Sequence, residues 1–278
     1  MSRQASRTGS IRLKAKSSVP VHYTFTPGSG ASEDGRQLLI VCLNGLCDPM
    51  KVWNGTLKHL AQFRQSKNCP SILTYDRFGC GKTGRDPSDA GKGPTEWHDL
   101  GDVTKELHEL LLQVYETELG ISSREKVWPI FVAHSIGTAV AQLYGAKFPG
   151  EVVGYLLLDA TLTDSDGTSL MPDPDAPGFD ATALPRGVTP AMLRDSRMKQ
   201  HSSPFNRNMP NTERLRWNNI QEYIPVIGAP RFTGPAKGTP LITLMMHDDQ
   251  VYAKQLKQVC ENIIIVLFFG IWLILPDS

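Results

Sequence analysis

Apolar positions along the chain fall into short unbroken runs, separated by stretches in which they recur at helical spacing. Residues 38–43 and 152–158 are continuous apolar runs, as expected of strands covered on both faces of a parallel sheet. Residues 11–16 and 21–26 alternate loosely and predict two short antiparallel strands at a sheet edge. Residues 71–75 predict a further strand, and 240–246 the last core strand. Helical spacing follows Asp48-Pro49, with Trp53, Leu57, Leu60 and Ala61 on one face; Asp is a favoured cap and Pro a favoured first residue. The clearest helix spans 95–119, where Leu100, Val103, Leu107, Leu110, Leu111, Val114 and Leu119 share a face and Gly120 is the stop. Strand and helix in alternation imply a doubly wound, mostly parallel α/β sheet with its ligand at the C-terminal ends of the strands.

One stretch, 127–140, joins the two periods without a loop. The apolar run Ile130-Phe131-Val132-Ala133 meets His134-Ser135-Ile136-Gly137 and passes directly into a helical face of Ile136, Ala139, Val140, Leu143 and Tyr144. A buried strand that turns into a helix through x-x-Ser-x-Gly puts one hydroxyl on a sharp exposed turn. Small residues are needed around it, and here they are Ala133 and Gly137.

Two regions break the pattern. From 161 to 238 the chain is rich in Pro, Gly, Asp and Asn, with weak helical stretches near 190–199 and 212–223. That composition predicts a lid inserted into the sheet domain. At the far end, 263–275 is apolar apart from one glycine and shows neither helical nor strand periodicity. It is shorter than the roughly 17–25 residues of a membrane-spanning helix. The resulting division is 1–160 for the first part of the core, 161–238 for the lid, 239–262 for the last core strand and following segment, and 263–278 for an atypical tail.

Charge narrows the function classes. Lys and Arg number 29 against 28 Asp and Glu in 278 residues, with no basic stripe, so neither nucleic acid nor an anionic membrane is an expected partner. The five cysteines are scattered without a C-x-x-C pair, which excludes a disulfide framework or zinc site and points to a reducing compartment. The expected location is the cytoplasm. A mitochondrial presequence is the alternative, given Arg3, Arg7 and Arg12 among serines ahead of any acidic residue. The run Gly79-Cys80-Gly81-Lys82-Thr83-Gly84 matches G-x-G-x-x-G, but Asp76 stands where a phosphate-binding loop needs glycine, and Arg85-Asp86-Pro87 continues as loop. No metal or organic cofactor is expected.

Three pieces together resemble the α/β-hydrolase superfamily, specifically its AB hydrolase-1 type serine hydrolases. They are Leu43-Asn44-Gly45-Leu46 after one strand, Tyr75-Asp76-Arg77-Phe78-Gly79-Cys80-Gly81 after the next, and the Ser135 turn after the third. The resemblance covers most of the chain, up to the Asp248 region. It implies an α/β-hydrolase sheet with an inserted lid, Ser135 as nucleophile, and the N–H groups of Leu46 and Ile136 as the oxyanion hole. It also implies an acid after a late strand: Asp248, with Asp249 its neighbour and Asp159 the runner-up. Such a site would cleave a carboxylic ester or related small-molecule acyl substrate through an acyl-enzyme.

The same resemblance calls for a histidine after the acid, and no histidine follows Asp248. Of the seven in the chain, His134 adjoins the serine and points away from it, His247 precedes the acid, and His98 lies at the start of the long helix. The fold is therefore expected to lack its last strand and helix, with a C-terminus altered or truncated in the encoding message; that accounts for both the absent histidine and the odd tail. A buried final strand plus extension, and weak membrane association of 263–275, are the other two readings of that tail. The alternative function is a catalytically impaired or ligand-binding protein of the same fold.

Overall fold

A computed structural model describes residues 5–29, 31, 35–63, 69–161, 171–184, 187–203, 206–225, 232, 234–235, 238–245, 263–268 and 271–276. The chain divides into two compact units: Met1–Thr161 with Pro210–Met245, and Leu162–Met209 with Met246–Ser278.

The first unit is built on a seven-stranded sheet. Its strands are β1 (Arg7–Ile11), β2 (Val21–Thr26), β3 (Gln37–Leu43), β4 (Ser71–Tyr75), β5 (Val127–His134), β6 (Gly154–Leu158) and β7 (Leu241–Met245), in the order β1-β2-β4-β3-β5-β6-β7. The strands from β3 to β7 run parallel, and β1 and β2 add an antiparallel edge. The helices of this unit are α1 (Asn54–Phe63), α2 (Leu100–Leu119), α3 (Ile136–Lys147) and α5 (Ile220–Tyr223); α4 (Pro190–Ser202) lies in the other unit.

Alternation along β3 shows how two helical layers are served by one strand. Leu39, Val41 and Leu43 join the main core with Leu100, Leu107 and Leu111 of α2 and Val140 and Tyr144 of α3. Ile40 and Cys42 belong to a second cluster with Trp53, Ile72 and Leu57, on the side of α1. Period-2 strand geometry sends these two sets to opposite faces, so every position from Leu38 to Leu43 is apolar. The chain leaves β3 through α1 to β4 on one side, then crosses through α2 to β5 on the other. The order reverses at β3, and its C-terminal end beside that of β5 is the crevice where such sheets take ligands.

Several boundaries differ from the sequence expectation, for identifiable reasons. The first strand is Arg7–Ile11, not 11–16, because Lys14–Lys16 turns as a short 3-10 segment that reverses the chain into β2. Asp48 does not cap the helix after β3; the Met50 N–H donates to Asp76 Oδ1 at 2.6 Å, and α1 begins only at Asn54. The long helix starts at Leu100. Asp99 caps it in a reciprocal box with Asp102, and Gly120 ends it at φ 69°. Pro129 sits within β5, one residue before the β6 ladder begins at Ile130, so its missing donor costs no ladder bond. Of the weak helical stretch near 212–223, only Ile220–Tyr223 is helical. The residues before it turn so that Asn211, Glu213 and Asn219 can bond inward.

Two further departures concern the C-terminal third. Leu241–Met245 pairs with β6 as expected, yet it is an exposed edge strand and not core: Leu241 is 83% and Leu244 59% exposed. The apolar run at the end of the chain forms β8 (Ile263–Phe268) and β9 (Ile271–Pro276), an antiparallel pair in the second unit. No described helix is long and apolar enough to cross a membrane. The second unit also holds α4, capped by Thr189, whose Leu193 is buried with Met171 and Val188. Residues 210–225 fall inside the stretch read from composition as the lid and pack with the sheet unit.

A buried charged cluster closes the β1–β2 edge over α2. Lys16 bonds both Asp86 and Glu106. Burial, opposed only in part by Lys16, pushes the Glu106 carboxyl up to about 7. Asp86 goes the other way: burial is outweighed by bonds from Lys16 and Ser88, which hold it below the usual carboxylate range.

Two outcomes follow from this packing. Leu107→Ala, at a fully buried position facing β3, is expected to lower unfolding free energy by about 2–5 kcal/mol in urea titration. The raised Glu106 binds its proton more tightly folded than unfolded. Its contribution to stability is therefore complete below about pH 4.5 and is lost as pH rises through about 7. Urea midpoints measured across that window should fall with pH for the wild type and stay flatter for Glu106→Gln.

Candidate active site

Ser135 stands between β5 and α3 at φ 52° and ψ −126°, a conformation an L-residue adopts only under constraint. Its N–H donates to Leu158 O of β6 at 3.0 Å, and its carbonyl accepts from Thr138 N at 2.9 Å and Thr138 Oγ1 at 2.7 Å. All three bonds hold the backbone; Ser135 Oγ makes no hydrogen bond among the described residues. The turn is possible because of Gly137. A Cβ there would lie 2.5 Å from Leu43 O and 2.8 Å from Asn44 O, so α3 can start against the end of β3 only with glycine at this position. Ala133, in the other small position, is fully buried and fits with its methyl.

Leu46 and Ile136 lie on the loop leaving β3 and at the first residue of α3, and both side chains are in the main core. No described group accepts either backbone N–H. For Ile136 this is the ordinary state of a helix's first donors. For Leu46 it reflects a loop whose other polar groups are taken. Asn44 Nδ2 donates to Tyr75 O at 2.9 Å, and Trp53 Nε1 donates to Asn44 Oδ1 at 2.6 Å. Arg77 donates through Nη1 to Asn44 O at 2.8 Å and through Nη2 to Gly45 O at 2.7 Å.

Arg77 is itself buried, and Glu213, fully buried at 0% exposure, answers it. Arg77 Nε lies 2.5 Å from Glu213 Oε1 and Nη2 3.0 Å from Oε2; Oε2 also accepts the Cys47 N–H at 2.9 Å. Burial alone would raise the Glu213 carboxyl, but the guanidinium and the Cys47 N–H outweigh it and hold it below its ordinary value. The sequence expectation quoted Arg77 only as part of a loop motif and did not single out Glu213. A buried arginine demands a carboxylate, but nothing in the local pattern of residues 210–217 says which one answers.

A second carboxylate performs a parallel task. Asp99 Oδ1 caps α2, and its Oδ2 accepts from Arg216 Nη2 at 2.9 Å, Asn219 Nδ2 at 3.0 Å and Tyr223 Oη at 2.8 Å. Segment 210–224 is thereby tied to the sheet unit at both ends. All four described non-glycine residues with positive φ lie on these junctions: Cys47 after β3, Ser135 after β5, Asp159 after β6, and Arg214 next to Glu213. Asp159 N–H donates to Met245 O at 2.9 Å, so the runner-up acid stands at the strand ends. Asp248, the first choice, its neighbour Asp249 and His247 lie outside the described residues.

None of the described histidines bonds Ser135. His134 turns toward the β3 loop, with Nδ1 3.8 Å from Asp48 Oδ2. His98 does not reach a site mouth: it is buried, with Nδ1 2.7 Å from Asp89 Oδ2 and Nε2 unpartnered. His108 stacks on Phe148 and bonds Tyr144 Oη between α2 and α3. No described group of three or more His, Cys, Asp or Glu side chains is arranged to hold a metal ion.

Gly137→Val tests the tightest contact of the site. The clash is with backbone oxygens, which cannot move aside, so the variant is expected to lose its cooperative thermal transition or to melt well below the wild type.

Comparison with known proteins agrees with this architecture. A family profile described as the alpha/beta hydrolase family matches residues 40–263, which take in the β3 loop, the glycine-rich loop and the Ser135 turn. No curated protein sequence matches the chain. Among solved structures, Cfl2 from Burkholderia cenocepacia is 20% identical with a TM-score of 0.40, over 66% of this chain and 47% of that one. MGS-M2, an alpha/beta hydrolase enzyme from a Medee basin deep-sea metagenome library, is 19% identical with a TM-score of 0.37, over 54% and 43%. A laboratory-evolved variant of potato epoxide hydrolase StEH1 is 16% identical with a TM-score of 0.41, over 55% and 40%. The chain spans less than half the length of each of these three. With the profile match running through most of the chain and through every loop just described, this protein belongs to the alpha/beta hydrolase family.

Proposed function

We propose that the protein is a serine hydrolase that cleaves a carboxylic ester or related small-molecule acyl compound through a Ser135 acyl-enzyme. The observation that carries this reading is Ser135 held at φ 52° on the turn between β5 and α3, together with Leu46 and Ile136 backbone N–H groups that no described group accepts. Attack on an acyl carbonyl puts negative charge on its oxygen. Fixed backbone donors that meet that charge lower the barrier by about 3 kcal/mol each in comparable sites. A serine at the turn, in place of an aspartate, favours acyl transfer over opening of an epoxide. In this reading Asp248 or Asp159 is the acid, and no cofactor takes part. A cytoplasmic location is supported by the scattered cysteines, of which the four described form no disulfide.

A second reading has an observation of its own. Serine is a poor nucleophile without a base, and no described histidine bonds Ser135. The same fold would then serve as a ligand-binding protein, or as a hydrolase working at the residual rate, about 10³–10⁴-fold over water, that an oxyanion hole and binding supply by themselves.

A fluorophosphonate probe separates the two. The acyl-enzyme reading expects a stoichiometric adduct on Ser135, no adduct with Ser135→Ala, and ester turnover that falls at least a hundredfold in that variant. Folded wild-type protein that takes no label and turns over no ester would establish the ligand-binding reading instead. Asp248→Asn and Asp159→Asn, assayed side by side, assign the acid to whichever variant loses the labelling rate.

A further inference from the structure

The loop that carries the Leu46 N–H is closed by two long bonds of its own, Asp48 N–H to Gly45 O at 3.3 Å and Asn44 Nδ2 to Asp48 O at 3.2 Å, and is gripped more closely from outside. Cys47, the next residue, has φ 61°, a left-handed conformation that costs an ordinary side chain free energy and persists only when its surroundings impose it. At Gly45 a Cβ would come within 2.5 Å of Asp48 Oδ2 and 3.0 Å of His134 Nδ1, so a side chain there would have to displace both of those side chains. Within this loop, carbonyls 44 and 45 and the N–H of residue 47 are gripped by Arg77 and Glu213.

Geometry of the trans peptide gives these grips a direction. The Gly45 C=O and the Leu46 N–H belong to one planar unit and point to opposite sides of it. Arg77 Nη2, bonded to Gly45 O at 2.7 Å, therefore fixes the plane and sends the Leu46 N–H the other way. The guanidinium can do this only if it is itself fixed, and Glu213 engages both its Nε and its Nη2. The same carboxylate then takes the Cys47 N–H, on the far side of Leu46. The Leu46 peptide is thus clamped on both flanks by one buried ion pair.

We propose that Glu213, acting through Arg77 and the Cys47 N–H, is a positioning residue that aims the Leu46 N–H as an oxyanion donor. Glu213 comes from a segment more than a hundred and fifty residues further along the chain than the loop it holds. It touches no reacting atom. Its effect belongs to the transition state, because the donor engages the oxygen only as charge develops there. The inference rests on the serine-hydrolase reading for its catalytic consequence, but not for its structural one.

The test uses Glu213→Gln and Glu213→Asp in the full chain. Gln keeps the shape and removes the charge that fixes Arg77. Asp keeps the charge but draws the carboxylate back from the Cys47 N–H by one methylene. Fluorophosphonate labelling of Ser135 is followed against probe concentration, and backbone hydrogen exchange of the 44–48 peptide is followed by mass spectrometry. Both variants are expected to lower the maximal labelling rate at least tenfold while leaving the half-saturating probe concentration unchanged, and to speed exchange at 44–48 more than elsewhere in the sheet unit. A loss confined to half-saturation, or wild-type rates and exchange in a folded variant, would overturn the proposal. Should Gln prevent folding, Asp carries the same readouts. If the wild type takes no label, the serine-hydrolase reading fails on its own, and the exchange at 44–48 still decides whether Glu213 holds the loop.

Discussion

A guanidinium buried among backbone carbonyls is the constraint on which the loops after β3 and β4 rest. Arg77 has five donors and no acceptor, and its side chain is buried. It must find carbonyls and a carboxylate, and it finds them on two distant parts of the chain: the Asn44 and Gly45 carbonyls of the loop after β3, and Glu213. Replacing such a pair with matched apolar groups would be energetically tolerable, but removing one partner leaves an uncompensated buried charge at a cost of about 3–5 kcal/mol. The pair therefore specifies how the loops fit together more than it adds to stability.

Strain gathers at the same end. Cys47, Ser135, Asp159 and Arg214 all have positive φ, and each follows a strand or adjoins the buried pair. The main core beneath them is ordinary: period-2 strands and period-3.6 helices, with Leu39, Val41, Leu107 and Leu111 wholly buried. A rigid sheet can hold its exit loops in unfavourable conformations because relaxing them would mean breaking the packing below. The order reverses at β3, and Cys47 and Ser135 stand on the exits of β3 and β5 beside that point.

Much of this was legible in the residues alone. The five parallel strands, the long helix ending at Gly120, the Ser135 turn and the antiparallel edge all announce themselves by local periodicity, because one face of each must be buried and the side-chain period reveals which. Local signals misled where a distant partner competed for a group. Asp48 looks like a cap, but Asp76 takes the Met50 N–H; residues 212–219 have some helical spacing, but their side chains serve Leu215, Arg77 and Asp99. The exposure of β7 had no local signal either, since an apolar run reads the same whether or not a layer covers it.

By itself, then, the sequence determined the class of fold, the succession of its strands and helices, and the residue placed on the sharp turn, since each depends on neighbours within a few positions. Only the tertiary structure decided that Glu213 faces Arg77, that Asp99 gathers Arg216, Asn219 and Tyr223, and that His98 is committed to Asp89 inside the fold. Those pairings join residues far apart along the chain. Which of many compatible charges meet is set by where the packed sheet brings them, and no local pattern of residues encodes that.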